Sequence, residues 1–225
     1  AFNLTLLERS LPEGTMSVMD WINTAYLPDI AEDIGKIVEY ILGRGMTLDW
    51  YNWMWSPTAG YKDRVLIPFY QDGKVVGYTG RKITDGKPKY LTDSQSGYVF
   101  NIDSQDYNRK FVIVTEGQFD AIAIDGVSIM TNEPNEAQVT RINALAREII
   151  VVPDKDRPGA KLLKAAIDNG WSASLPPWSD DIKDVADAVQ KYGRLYVLTT
   201  ILHYRVLGEI KINLMKKKLE ALKDD

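Results

Sequence analysis

Three acidic residues are spaced for metal-assisted chemistry. Glu116 directly follows the apolar run Phe111–Thr115, and Asp154 and Asp156 stand two apart after the apolar run Ile149–Val152 and Pro153. Carboxylates gathered at the ends of such runs repel one another unless a cation lies among them, which gives their proximity a physical purpose. A hard divalent ion, Mg²⁺ or Mn²⁺, takes carboxylate, water and phosphate oxygens. Held beside a nucleotide, such ions can activate a hydroxyl and stabilise the oxygens of a leaving pyrophosphate. Further acids follow in Asp180, Asp181, Asp184 and Asp187. On residue types alone, kinases, phosphatases and nucleases use the same chemistry.

Composition removes other options. The chain has 225 residues, no cysteine and one histidine, His203. Disulfides, a cysteine nucleophile, a cysteine zinc site and a serine-histidine triad are therefore excluded or left almost without material. Apolar runs are far too short for a membrane span, and the first residues lack a secretion pattern, so a cytoplasmic protein with no membrane partner is expected. The net charge is -4, which disfavours a general nucleic-acid coat protein. Its distribution is uneven. Between Tyr61 and Leu91 lie Lys62, Arg64, Lys74, Arg81, Lys82, Lys87 and Lys89, whereas acids are frequent between Asp154 and Asp187.

The elements that must position these groups change in texture along the chain. Ile34, Ile37, Val38, Ile41 and Leu42 recur at helical spacing before Gly43 and Gly45. Trp50, Trp53 and Trp55 are expected to form a satellite core rather than a base-stacking platform. Val65–Tyr70 and Lys74–Thr79 flank Asp72-Gly73, a strong hairpin signal. From Phe111 onward, strands and helices alternate. Strands are expected at 111–115, 127–130, 149–152 and 173–175, with helices at 118–125, 136–147, 159–169 and 185–191. That alternation predicts a mostly parallel sheet covered by helices, with ligands bound beyond the carboxyl ends of its strands. Leu198, Ile201, Leu202, Val206, Leu207, Ile210 and Leu214 read as terminal helices, closed by Lys216-Lys217-Lys218 and the polar tail Lys223-Asp224-Asp225.

Glu116-Gly117-Gln118-Phe119-Asp120, Pro153-Asp154-Lys155-Asp156 with Gly159 and Lys161, and Lys183-Asp184-Val185-Ala186-Asp187 resemble the Toprim domain of bacterial-type primases, topoisomerases and some nucleases. The resemblance implies that Glu116, Asp154 and Asp156 face the metals, with Asp120, Asp184 and Asp187 as acidic support or outer ligands. The preceding motifs are Arg64-Val65-Leu66-Ile67-Pro68-Phe69, Gly73 to Arg81, and Pro88-Lys89-Tyr90-Leu91-Thr92. They resemble the amino-terminal subdomain of the bacterial replicative primase core and its phage relatives. In that family the motif arginine and lysine, here Arg81 and Lys89, lie across a cleft from the metals. Thr92 replaces the usual asparagine, and Val185-Ala186 widens the spacing of the late aspartates, departures that suggest a phage or plasmid member.

The resemblance implies an α/β fold, α+β overall. It comprises a helical part over 1–60, a basic antiparallel subdomain over 61–108, a Toprim domain over 109–193 and C-terminal helices over 194–225. It implies a DNA primase that makes short RNA primers from ribonucleoside triphosphates on single-stranded DNA, in a bacterial or phage-infected cytoplasm. Arg64, Lys74, Arg81, Lys82, Lys87, Lys89, Tyr90, Lys155 and Lys161 are expected to hold template or nucleotide. The chain is further expected to be the core of a longer protein, with a zinc-binding module or a replicative helicase needed for site-selective initiation. A Toprim nuclease and a non-catalytic replisome scaffold or nucleotide sensor are the alternatives.

Overall fold

The computed structural model describes residues 5–24, 27–105 and 108–222. The expected tail Lys223-Asp224-Asp225 lies outside them. The chain divides into two compact units, Thr5–Ser96 and Gly97–Asp225.

The first unit contains β1 (Met16–Ser17), α1 (Val18–Thr24), α2 (Pro28–Gly43), β2 (Met54–Trp55), β3 (Arg64–Gln71), β4 (Lys74–Lys82) and β5 (Tyr90–Asp93). Its five strands are antiparallel and lie in chain order. Asp72 and Gly73 take φ of 52° and 73°, the paired left-handed conformation that lets a two-residue turn match strand twist. The hairpin register runs from Gln71 opposite Lys74 to Arg64 opposite Lys82, with an irregularity at Phe69/Tyr70. Ile34, Ile37 and Ile41 bury one stripe of α2, so the expected helix is present. Trp53 and Trp55 are buried, and the Trp55 indole donates to the Lys62 carbonyl. They serve as core, as expected from their clustering.

The second unit alternates β6 (Phe111–Thr115), α3 (Gln118–Ile124), β7 (Val127–Ser128), α4 (Glu136–Asn143), β8 (Glu148–Val151), α5 (Ala160–Asn169) and β9 (Ser172–Ser174). It continues through α6 (Val185–Tyr192), α7 (Arg194–His203), β10 (Arg205–Val206) and α8 (Glu209–Glu220). The sheet order is β10-β9-β8-β6-β7. Strands β6 to β9 pair in parallel and β10 joins antiparallel. Phe100 bridges Ser128 beside β7. Val112, Val114, Ile149 and Val151 pack with Leu162, Leu163, Trp171, Ile212 and Leu219 in one buried cluster. Among the described residues, no helix is long and apolar enough to cross a membrane.

Three expectations are corrected in this unit. Helix α4 stops at Asn143 rather than Arg147, because Ala146 takes a left-handed φ of 53° before β8. The strand expected over 127–130 closes at Ser128, and Met130 is left-handed at φ 59°. Val206, expected in a helix, instead pairs with Ala173. Gly208, at φ 104°, then breaks the backbone ahead of α8, a conformation only glycine adopts without strain.

Candidate active site

The chain leaves β6 for β7 on one side of the sheet, and leaves β8 for β9 on the other. Neighbouring strands whose connections depart in opposite directions open a crevice at their carboxyl ends, the usual place for a ligand in such sheets. Glu116 follows β6 and Asp154 follows β8 at that point.

Main-chain bonds fix both. The Asp154 amide donates to Glu116 Oε1 at 3.0 Å, and the Ser128 hydroxyl donates to the Glu116 carbonyl at 2.7 Å. Gly159 makes this approach possible: a Cβ there would lie 2.4 Å from the Asp154 carbonyl and 3.2 Å from Glu116 Oε1. The Gly159 amide in turn donates to Asp156 Oδ1 at 2.9 Å, so the Asp-x-Asp loop is turned back toward the strand end.

The other acids enter through α3 and α6. Asp120, on the first turn of α3, is 5% exposed and accepts from the Ala186 amide at 2.8 Å. This pins the start of α6 beside α3. Asp184 caps α6 by accepting from the Asp187 amide at 2.7 Å, and Asp187 accepts from the Lys183 amide at 3.4 Å. A carboxylate at this end also complements the helix dipole. The wider spacing of the two aspartates is thus the spacing of a helix cap. Lys155 ties the same loops together, its amide donating to the Lys183 carbonyl at 2.7 Å and its ammonium pairing with Asp180 at 3.0 Å.

The electrostatics follow from crowding. Burial pushes the Glu116 carboxyl up to about 7, only partly offset by the Asp154 amide and reinforced by Asp156. Burial pushes Asp154 up to about 9, with Asp120, Glu116, Asp184 and Asp156 adding like-charge repulsion. Asp154, Asp156 and Asp184 line a cavity of about 710 Å³ together with Lys155, Arg157 and Lys183. Among the described residues, no three carboxylates converge as a ready-made cation cage. Glu116, Asp120, Asp156 and Asp184 each accept from a main-chain amide instead. The donor set is nevertheless all oxygen and partly desolvated. It fits Mg²⁺ or Mn²⁺, since Mg²⁺ keeps several waters and uses one or two carboxylates plus phosphate oxygens.

The basic residues of the first unit fall into distinct situations. Arg64, expected to bind phosphate, is 4% exposed. Its Nε donates to the Gly60 carbonyl, Nη1 to those of Gly80 and Lys89, and Nη2 to that of Pro88. It is a clamp on the 87–90 loop, and its fork points at main chain rather than at solvent. Lys82 pairs with Asp63 at 3.1 Å. Lys74, Lys87 and Lys89 are exposed. Arg81 lies over the Tyr90 ring, 4.8 Å from its centroid, and its Nε donates to the Tyr40 hydroxyl at 3.0 Å. Its buried Nη1 has no hydrogen-bond partner among the described residues, so both of its N–H groups lack an acceptor of the kind an oxyanion supplies. Arg44 lies over the other aromatic of this cluster, 5.9 Å from the Tyr40 centroid. Sequence reading missed Tyr40 and Arg44. They look like the end of an ordinary amphipathic helix until the fold brings α2 to β4. Lys161 is exposed on the first turn of α5.

No protein-family model matches the chain. The DNA primase of Aquifex aeolicus is 26% identical over 190 residues, covering 73% of this chain and 38% of that protein. The chain spans between 19% and 38% of the length of the curated primases it matches. The RNA polymerase domain of Mycobacterium tuberculosis primase DnaG superposes with a TM-score of 0.67 at 16% identity, over 84% of this chain and 81% of that one. A DnaG primase catalytic domain solved bound to ssDNA superposes with a TM-score of 0.64 at 16% identity, over 92% of this chain and 82% of that one. At such identities the solved structures establish fold, here the mixed architecture of an antiparallel unit followed by a mostly parallel, helix-flanked sheet. Sequence and fold together make the chain a distant homologue of the DnaG-type primase catalytic domains, with their Toprim-like sheet.

Proposed function

We propose that the chain is a primase catalytic core that joins ribonucleoside triphosphates into short RNA on a single-stranded DNA template. The observation that carries this reading is the gathering of Glu116 and Asp154 at the switch point, with Asp156, Asp120 and Asp184 close enough to raise the proton affinity of Asp154. A DNA-bound structural relative and primase sequence relatives support the same assignment.

In the proposed reaction the 3'-hydroxyl of one nucleotide attacks the α-phosphorus of the next. The α–β phosphoanhydride bond breaks and pyrophosphate leaves. Glu116, Asp154 and Asp156 would hold Mg²⁺ or Mn²⁺, which when bound supplies positive charge to the triphosphate oxygens. Asp120 and Asp184 set the position of α6 and keep the cluster negative. Arg81, held by Tyr40 and Tyr90, offers its remaining donors to phosphate, and Lys89 adds a mobile charge. Lys155 neutralises phosphate at the acidic cavity. A replicative helicase is the proposed partner.

The test is incubation with mixed ribonucleotides, single-stranded templates and Mg²⁺ or Mn²⁺, with labelled products resolved by length. Short RNA from the native chain and none from Asp154→Ala/Asp156→Ala is expected. Template cleavage without extension would instead indicate a nuclease, and full yield from the double variant would defeat the assignment.

A further inference from the structure

A second, differently charged basin adjoins the acidic cavity. It measures about 650 Å³ and is lined by Asn132, Arg157, Lys161, Lys164, Lys216 and Glu220, with Pro158 and Ala160 as its floor. Arg157 and Pro158 also line the carboxylate cavity, so the two are continuous along one loop. In a chain whose net charge is -4, four cations from two helices and a loop converge on one depression.

Their placement is built into the core. Lys161 and Lys164 share the outer face of α5, while Leu162, Leu163 and Ala166 bury its inner face. Helix α8 packs against α5 through buried Ile212 and Leu219, which turns Lys216 toward the same depression. Lys164 pairs with Asp168 at 2.5 Å and Lys216 with Glu220 at 3.5 Å. Both pairs lie within one helix turn; the Lys164–Asp168 pair is solvent-exposed and Lys216 is half-buried beside an exposed Glu220, pairs weak enough for a phosphate to displace. Lys161 has no ion pair among the described residues.

We infer that this basin binds the phosphodiester backbone of a single nucleic-acid strand as it passes the carboxylate cavity. The inference deepens the proposed primase reading and rests on it. Lys161 and Lys164 stand three residues apart, roughly 4.5 Å along α5, with Arg157 on the loop just before that helix and Lys216 on α8. The basin thus spreads four cations over a loop and two helices, an arrangement that suits successive phosphates of a backbone. The basin is open, and no aromatic among its lining residues is placed to stack a base. It therefore contacts backbone and leaves sequence unread. DNA template and RNA product present the same phosphates.

Fluorescence anisotropy of the full chain with labelled oligo-dT and oligo-rU, titrated between 50 and 200 mM NaCl, tests the inference. Each lost phosphate contact makes the log-log salt slope shallower by about 0.7 for a single strand. Lys161→Ala/Lys164→Ala should therefore flatten the slope by about 1.4, so that native protein loses about sevenfold more affinity than the variant across that range. Lys217→Ala/Lys218→Ala, which removes equal charge outside the basin, should change the slope less. The stronger effect with dT or with rU identifies which strand occupies the basin. Equal slopes in native protein and the 161/164 variant would overturn the inference while leaving template-directed synthesis intact. So would equal effects of the two double variants, or a loss confined to nucleotide KM. If native protein binds neither oligonucleotide, the primase reading fails and this inference falls with it.

Discussion

Replacing Asp154 by Asn should stabilise the metal-free protein at alkaline pH while removing its ability to gain stability from Mg²⁺ or Mn²⁺. Burial and four neighbouring carboxylates raise Asp154 from 3.8 to about 9, and burial raises Glu116 from 4.5 to about 7. Both folded values lie above the unfolded ones. The native state thus holds these protons more tightly, and the associated stability is complete below about pH 4 and is lost as pH rises through 7 and on toward 9. For Glu116 alone, the step from 4.5 to about 7 corresponds to about 3 kcal/mol. In a protein of this size each kcal/mol moves the midpoint by about 2–4 °C, so roughly 6–12 °C is at stake. The assay is thermal unfolding in EDTA at pH 6, 7, 8 and 9 for native protein, Asp154→Asn and Glu116→Gln, repeated with excess Mn²⁺. Native Tm should fall with pH relative to both variants, and Mn²⁺ should recover it only in native protein. Parallel Tm curves for all three proteins would refute the argument that these carboxyls are buried against one another.

Other perturbations separate the roles of neighbouring residues. Arg64→Ala should cost about 3 kcal/mol, since four carbonyls lose a buried donor; chemical denaturation at low and high salt should give the same loss. Arg81→Lys should keep Tm within about 2 °C yet lower template-dependent synthesis about tenfold, because a lysine cannot both lie on Tyr90 and present a fork; steady-state rates with unchanged circular dichroism would show this. Gly159→Ala should reduce activity by more than its effect on stability, because a Cβ 2.4 Å from the Asp154 carbonyl must displace the strand end. Tyr40→Phe should raise nucleotide or template KM more than it changes kcat, since it frees Arg81 without touching the carboxylates.

Much of this site could be read along the chain because its positions are tied to strand ends. An apolar run followed by an acid locates Glu116 and Asp154 without knowledge of sheet order, and parallel pairing then brings them together. The hairpin was equally legible, since Asp72-Gly73 specifies its turn chemically. Arg64 was misjudged because charge is visible in a sequence whereas burial is not: its four carbonyl partners come from three separate stretches. Tyr40 escaped notice for the converse reason, its role depending on β4 running past α2. The roles of Asp184 and Asp187 as a helix cap were hidden by reading them as acidic support or outer ligands, although an acid three residues before another at a helix start carries that signal. Val206 was misassigned because a two-residue strand has no period to detect.

The two ends of the parallel sheet carry a consequence for association. One margin is the two-residue β10, laid antiparallel on β9, and the other is the two-residue β7, already bridged by Phe100. Short or occupied margins offer little unpaired backbone for another chain to add a strand. Self-templated sheet growth is accordingly suppressed in this unit. A protein that docks on it will meet side chains of helices and loops, so its recognition will be decided by residues that can be exchanged one at a time without disturbing the ladder beneath the carboxylates.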